Sequence, residues 1–247
     1  MTKNLFLGLL CLLLGTAAAF ANDFDRANGQ FKAGDFSGAA SAYEKILAAE
    51  GPRATVFYNL GNSYQQLKRY GPAILAYERA RLLTPRDPDL LANLALARKA
   101  ATVAEVPGPY PRLDVALNYL SPNEWSWLVA GSALFLGCLA VVCGAVKLPR
   151  RWVVGPACLA GVCIIAGATA LYLQRVETGR GVVLSADAAV RLSPFEKAES
   201  LGTPGVGRIV RLGARSGDFQ YIEVPGASLS GWMAGKDVAA IEAGAPR

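Results

Sequence analysis

Two long runs without a charged residue lie in the middle of the chain, at residues 125–146 and 153–173. Each has about the 20 residues that an α-helix needs to cross a lipid bilayer. The short segment between them, residues 147–152, carries three cations, which marks a loop on the cytoplasmic side. The alternative is a pair of buried helices in a soluble protein, but runs this long and apolar favour helices that lie in the lipid bilayer. The pattern predicts a two-helix transmembrane hairpin with both flanking parts outside the cytoplasm.

Residues 1–21 have the features of a secretory signal peptide. Lys3 gives the positive start, leucines dominate residues 5–14, and residues 19–21 form an Ala-Phe-Ala cleavage site. An uncleaved anchor is the alternative. With either, the chain from residue 22 onward is expected to begin outside the cytoplasm.

The chain contains no histidine, and its five cysteines all lie within apolar runs. The parts expected to be soluble therefore lack the usual zinc ligands, a histidine general base and a cysteine nucleophile. The acidic pair Asp87 and Asp89 flanks a proline-led helix start, where the helix dipole favours acids. We therefore expect no enzyme, no metal site and no cofactor. Four cysteines are interpreted as small apolar packing residues of the hairpin: Cys138, Cys143, Cys158 and Cys163.

The net charge of +6 is not concentrated in a soluble part of the chain. Residues 22–124 carry 12 basic and 11 acidic residues, and residues 175–247 carry 9 and 8, so each part has a net charge of +1. The remaining cations adjoin the apolar runs, where they act as topology signals. A nucleic-acid partner, which requires a basic face, is not expected.

An internal repeat runs through the N-terminal part of the chain. The pair Tyr43-Glu44 recurs as Tyr77-Glu78, and Asn59-Leu60-Gly61 recurs as Asn93-Leu94-Ala95. Small residues at helix contacts, repeated with a period of about 34 residues, are typical of tetratricopeptide repeats. The pattern predicts an all-α tetratricopeptide-repeat domain over residues 22–100, with two full repeats and a closing helix.

The first helices of such repeats line a concave groove, and several amides fall on that side here. Asparagine donates and accepts at once, which suits the backbone of an extended peptide. The alternative is that Asn59 and Asn93 only cap or pair locally. Phe24 and Asp89 occupy positions where carboxylate-clamping repeats carry lysines, so a carboxylate clamp is not expected. The predicted groove residues are Asn28, Asn59, Asn62, Gln66 and Asn93.

Two full repeats are fewer than the roughly three that usually form a stable stack. This predicts a partner, self-association, or packing of residues 101–120 over the open end. Residues 101–124 are predicted to be a linker with a short amphipathic segment, which ends at a helix start. That start has Ser121 as the N-cap, Pro122 at the first helical position and Glu124 as the capping-box partner.

Residues 176–247 change to short alternating segments separated by Gly, Pro and Ser. Five or six strands are predicted, five of them at 181–185, 188–192, 207–212, 219–224 and 231–234, after which a short closing turn leads to residues 238–241. This number of short strands in so few residues predicts a small all-β, SH3-like barrel.

The barrel is expected to carry an aromatic surface for an extended ligand, formed by Phe195, Tyr221 and Trp232. The alternative places at least Phe219 and Trp232 in the core of this small domain.

The order of these parts resembles the BatE-type proteins of bacterial aerotolerance operons. The resemblance is carried by Tyr-Glu-Arg-Ala-Arg at 77–81, by Leu-Ser-Pro-Asn-Glu-Trp at 120–125, and by Ser-Gly-Trp at 230–232 near the end of the SH3-like tail. It implies a protein of the bacterial inner membrane that works with membrane-anchored von Willebrand factor A-type proteins and a MoxR-type ATPase system.

Together these features predict a membrane-anchored periplasmic scaffold or adaptor for protein–protein interactions. The alternative is a module that binds or senses the cell wall, in which the SH3-like domain contacts peptidoglycan.

Overall fold

The computed structural model describes residues 23–103, 119–146, 149–176 and 179–242. The predicted signal peptide and most of the predicted amphipathic segment lie outside the described residues. The described residues form two compact units. The first unit combines the N-terminal helices with the C-terminal sheet, and the second contains residues 82–86 and the two long apolar helices.

Five helices form the N-terminal part, as the repeat period predicts. Asp35 caps the second of them by accepting a hydrogen bond from the Gly38 backbone N–H, and Asp87 caps the fifth, with Pro88 at the first helical position. Because proline lacks an N–H group and has a fixed φ, it fits a helix start well. The helices are α1 (23–32), α2 (Phe36–Glu50), α3 (Ala54–Gln66), α4 (Tyr70–Leu83) and α5 (Pro88–Ala100).

The two helices of each repeat approach closely because their contact position carries a small residue. Ala27 is fully buried in the first repeat. At its counterpart Gly61, an added Cβ would lie 2.5 Å from Cε1 of Tyr77. The Tyr77 ring therefore occupies the space that a larger residue on α3 would need.

The second compact unit contains two helices that are long and apolar enough to cross a membrane, α6 (Pro122–Ala145) and α7 (Arg150–Val176). The predicted start of α6 is confirmed, since Ser121 and Glu124 form the capping box. Gly167 of α7 lies so near α6 that an added Cβ would be 2.6 Å from Cγ2 of Val129. No residue of α6 is buried, so its apolar surface is left for lipid or another protein.

The segment between α4 and α5 contacts the start of α6. The guanidinium of Arg86 lies 5.1 Å from the centroid of the Tyr119 ring and donates a hydrogen bond to Oε1 of Glu124. The capping carboxylate of α6 thus has a cationic partner in the segment that joins two repeat helices.

The C-terminal part is one antiparallel sheet of seven strands in the order β3-β2-β6-β5-β4-β1-β7. The five predicted strands are found, the closing segment at 238–241 contains a strand as well, and Ser200–Gly202 is an additional one that its polar, non-alternating sequence did not reveal. The strands are β1 (Arg180–Val183), β2 (Val190–Arg191), β3 (Ser200–Gly202), β4 (Ile209–Ser216), β5 (Phe219–Glu223), β6 (Ser230–Ala234) and β7 (Val238–Ala240).

The predicted closure of this sheet into a barrel is wrong, because β3 and β7 remain as its two edges. Strand β2 has only two residues, and its pairing with β3 shifts register between Val190 and Arg191. The hydrogen-bond ladder therefore ends at β3, and no pairing joins β3 to β7 among the described strands. The sheet still surrounds one apolar core, formed by Val183, Ala188, Val190, Val210, Ile222, Val224, Met233 and Val238.

Candidate functional site

Asn28 of α1 joins three helices through its side-chain oxygen. Its Oδ1 accepts hydrogen bonds from the Tyr43 hydroxyl at 2.6 Å and from Nδ2 of Asn59 at 3.1 Å. Tyr43 lies on the second helix of the same repeat, whereas Asn59 lies on the first helix of the next one. One amide oxygen therefore ties the repeat together internally and to its neighbour.

Asn62 of α3 repeats this arrangement with every partner shifted by one repeat period. Its Oδ1 accepts from the Tyr77 hydroxyl at 2.7 Å and from Nδ2 of Asn93 at 3.1 Å. Asn93 also donates to the Tyr58 hydroxyl at 2.9 Å. We call the four asparagines Asn28, Asn59, Asn62 and Asn93, with Tyr43 and Tyr77, the asparagine network.

Aromatic packing follows the same period. The ring centroids of Phe24 and Tyr43 lie 6.1 Å apart, and those of Tyr58 and Tyr77 are also 6.1 Å apart. Burial raises the pKa of the Tyr43 and Tyr77 hydroxyls, and the nearby Tyr58 adds to the shift at Tyr77. Both hydroxyls therefore stay protonated around neutral pH and act as hydrogen-bond donors within the network.

The network leaves a defined set of donors for a ligand. An asparagine side chain has two N–H donors and an oxygen with two lone pairs. The oxygens of Asn28 and Asn62 each accept two bonds, while their amide N–H groups meet no acceptor within the described part of the chain. Each repeat thus offers one equivalent half-exposed amide donor, and such donors suit the carbonyl oxygens of an extended peptide.

The structure brings four of the five predicted groove residues into the network and leaves Gln66 out. Gln66 is exposed at the last position of α3. Asn59 and Asn93 each donate across to the neighbouring repeat, and their role in binding a ligand stays a prediction. Phe24, at a lysine position of carboxylate clamps, packs on Tyr43 instead, and Asp89 places an acid at another such position.

An ion cluster in the second repeat was missed by the sequence reasoning. Glu78 of α4 is 1% exposed and pairs with Arg81 at 2.8 Å and with Arg98 of α5. Burial raises the pKa of Glu78, but the positive charges of Arg81, Arg98 and Arg180 outweigh this effect, so its pKa lies below the usual value. The repeat period could have revealed this pair, because Glu78 and Arg98 stand one period after Glu44 and Tyr64. Glu44 accepts a hydrogen bond from Tyr64, just as Glu78 accepts one from Arg98.

The predicted SH3-like surface is brought together in part. The Tyr221 and Trp232 rings meet edge to face with centroids 5.5 Å apart, next to Gly213, where a Cβ would lie 3.0 Å from the Tyr221 ring. Phe195 is 68% exposed and lies between β2 and β3. The alternative placement of Phe219 and Trp232 in the core is wrong, since both are only half-buried and neither joins the core cluster.

Metal binding finds no support in the described ranges, where no group of three or more metal-ligating side chains occurs.

The repeat region matches a known protein family. No curated protein matches the chain. Residues 54–87 match the family model of the tetratricopeptide repeat, a span that covers α3, α4 and the N-cap of α5. Repeats of this family typically serve as interaction modules without catalysis. The match and the helical repeats together support a protein–protein interaction scaffold.

Proposed function

We propose that this chain is a membrane-anchored, non-enzymatic scaffold whose repeat groove binds an extended segment of a partner protein. The asparagine network carries this proposal. It recurs once per repeat period, and it leaves equivalent amide donors on Asn28 and Asn62. Amide N–H groups that recur along a groove can donate to the main-chain carbonyl groups of an extended segment, so the ligand would be read mainly through its main chain.

The resemblance to BatE-type proteins suggests which partners to test. It favours membrane-anchored von Willebrand factor A-type proteins, acting with a MoxR-type ATPase in the bacterial envelope. Within this proposal the protein resides in the inner membrane and both soluble parts are periplasmic. The two apolar helices and the cations between them support that orientation.

The orientation predicts the activity of reporter fusions. Alkaline phosphatase, which is active only outside the cytoplasm, should be active when fused after residue 103 and after residue 242. A fusion after Pro149, between the two apolar helices, should be inactive. Activity at only one of the two soluble ends would contradict a double crossing.

Removing the free amide donors should weaken partner binding without loosening the repeats. In Asn28→Asp and Asn62→Asp the carboxylate keeps the oxygen that accepts from Tyr43 or Tyr77, but both N–H donors are lost. We expect the double variant to reduce recovery of a cross-linked von Willebrand factor A-type protein from intact membranes by about tenfold, since one or two hydrogen bonds to a ligand contribute roughly that factor.

A control with one added charge separates this effect from simple repulsion in the single variants. Asn123→Asp adds the same single negative charge as Asn28→Asp or Asn62→Asp alone, at an exposed position in the first turn of α6, and should leave recovery unchanged where each single groove variant lowers it. Undiminished recovery with the double variant, while its thermal unfolding matches that of the parent chain, would contradict ligand binding by the groove.

Cell-wall binding is the second candidate, favoured by the half-exposed Tyr221–Trp232 pair and the exposed Phe195. The same set of variants distinguishes it. If the full chain sediments with purified sacculi and Phe195→Ala abolishes this, while Asn28→Asp/Asn62→Asp does not, the sheet is the binding part.

A further inference from the structure

The second helices of the two repeats differ along one stripe, although their positions are equivalent. In α4, residues 71, 75 and 78 are buried, whereas their counterparts one repeat period earlier in α2 are exposed. These positions are spaced like the contact face of a helix. The stripe in α4 consists of Gly71, Leu75 and Glu78, and in α2 it consists of Ser37, Ser41 and Glu44.

The C-terminal sheet covers the α4 stripe within the same compact unit. An added Cβ on Gly71 would lie 2.5 Å from the backbone oxygen of Leu184. From the sheet side, an added Cβ on Gly207 would overlap Cδ1 of Ile74, which is fully buried. Both partners thus present a glycine at the point of closest approach.

Polar contacts extend the same interface. The guanidinium of Arg79 donates to the backbone oxygen of Ala240 in the edge strand β7 at 2.9 Å. Arg180 of β1 adds a positive charge near the buried Glu78. The counterpart carboxylate, Glu44, remains exposed on α2. Glu78 is thus buried at a position where the other repeat leaves its carboxylate exposed, and it pairs with Arg81 and Arg98 while the sheet adds a further positive charge nearby.

We infer that the sheet of residues 180–242 is the cap of the repeat stack, and that the α4 stripe is its recognition surface. The sheet supplies the neighbour that a two-repeat stack lacks, and it does so in cis, with β1 and β7 of the same chain. This face of α4 carries Gly71, Ile74 and Leu75, whereas α2 has serine, alanine and serine at the equivalent positions. The exchange adapts α4, but not α2, to an apolar neighbour. This inference does not depend on the peptide-binding role of the groove.

Matched glycine variants of the full chain in detergent test the α4 side. Gly71→Ala should lower the midpoint of thermal unfolding by about 5 °C, because the new Cβ meets backbone atoms of the sheet. It should also speed amide hydrogen exchange in residues 180–184 and 238–241. Gly29→Ala on α1 has nothing within 4 Å and should show neither effect. Equal behaviour of the two variants would overturn the inference.

A second pair tests the sheet side. Gly205 and Gly207 both have positive φ angles, 88° and 77°, so alanine is strained at either, but only an added Cβ at position 207 meets α4. Gly207→Ala should therefore lower the midpoint more than Gly205→Ala. Ile74→Val removes the overlapping Cδ1 and should recover part of the loss from Gly207→Ala, and no coupling in this double-mutant cycle would overturn direct contact.

The oligomeric state distinguishes a sheet that covers α4 of its own chain from a sheet that covers α4 of a second copy. We expect a monomeric chain by sedimentation in detergent, with the exchange protection of residues 180–184 independent of protein concentration. Protection that appears only with dimer formation would replace the cis cap with a partner copy and overturn the inference as stated.

Discussion

Replacing Glu78 with glutamine should lower the free energy of unfolding of the first compact unit by about 3 kcal/mol. The carboxylate is buried and is shared by Arg81 and Arg98, with Arg180 nearby. Glutamine has almost the same shape but no charge, so these cations would be left in a partly buried site without their counter-ion. Urea unfolding of the full chain in detergent, followed by Trp and Tyr fluorescence, measures the change.

The repeat supplies a control for this variant. Glu44→Gln alters the equivalent carboxylate on α2, which is exposed, and should change stability by no more than about 0.5 kcal/mol. If both variants lost the same stability, the burial of Glu78 against the sheet would not be the cause.

The loss of stability caused by Glu78→Gln should depend on pH. The pKa of Glu78 is lower in the folded chain than its ordinary value of 4.5, so the unfolded chain binds a proton more readily. Stability from this group is fully present above about pH 4.5 and is lost as the pH falls through the lower folded pKa. The difference in unfolding free energy between the parent chain and Glu78→Gln should therefore shrink as the pH falls through this acidic window. A difference that stays constant from pH 7 to pH 3 would contradict it.

Truncating Tyr77 to alanine should cost about 4 kcal/mol, the largest effect that we expect in the repeats. Its ring is fully buried, fills the gap above Gly61, and packs against Tyr58. Alanine would leave a cavity between α3 and α4 and would also remove the hydroxyl donor to Asn62. The loss should appear as a lower urea midpoint with an unchanged slope.

Tyr77→Phe separates the ring from the hydroxyl. This variant keeps the packing and removes only the bonds to Asn62 and Gln65, so about 1 kcal/mol should be lost. A phenylalanine variant as unstable as the alanine variant would mean that the hydrogen bonds, rather than the packing, hold the repeat together.

The helices were predictable because their signals are local and repeated. Ser121 with Glu124 and Asp87 with Pro88 each specify a helix start from adjacent or nearly adjacent residues, and both starts are observed. The repeat period likewise fixed which residues would occupy equivalent places. Strand β3 and the open sheet were not predictable, since Ser200–Gly202 has no apolar alternation and barrel closure depends on pairings distant in sequence.

The candidate site was predictable as a set of positions but not as a set of bonds. The repeat geometry places the groove asparagines, but the repeat of Tyr43 as Tyr77 does not by itself show that their hydroxyls donate to Asn28 and Asn62. The cover over α4 was also hidden, because the sheet that forms it begins beyond both apolar helices. The sequence indicates this cover only through a difference between the two repeats. Ser37 and Ser41 of α2 are replaced by Gly71 and Leu75 at the equivalent positions of α4.

The bonds of the asparagine network also constrain how such a gene can change in length. Each bond joins residues separated by 15 or 31 positions, within one period or across its boundary. Duplicating the codons of one whole period would add a rung that bonds to both neighbours, whereas an insertion of another size within α3 would rotate Asn59 and Asn62 away from their partners. The array can therefore grow in whole periods, with the copy that carries Gly71 and Leu75 kept last.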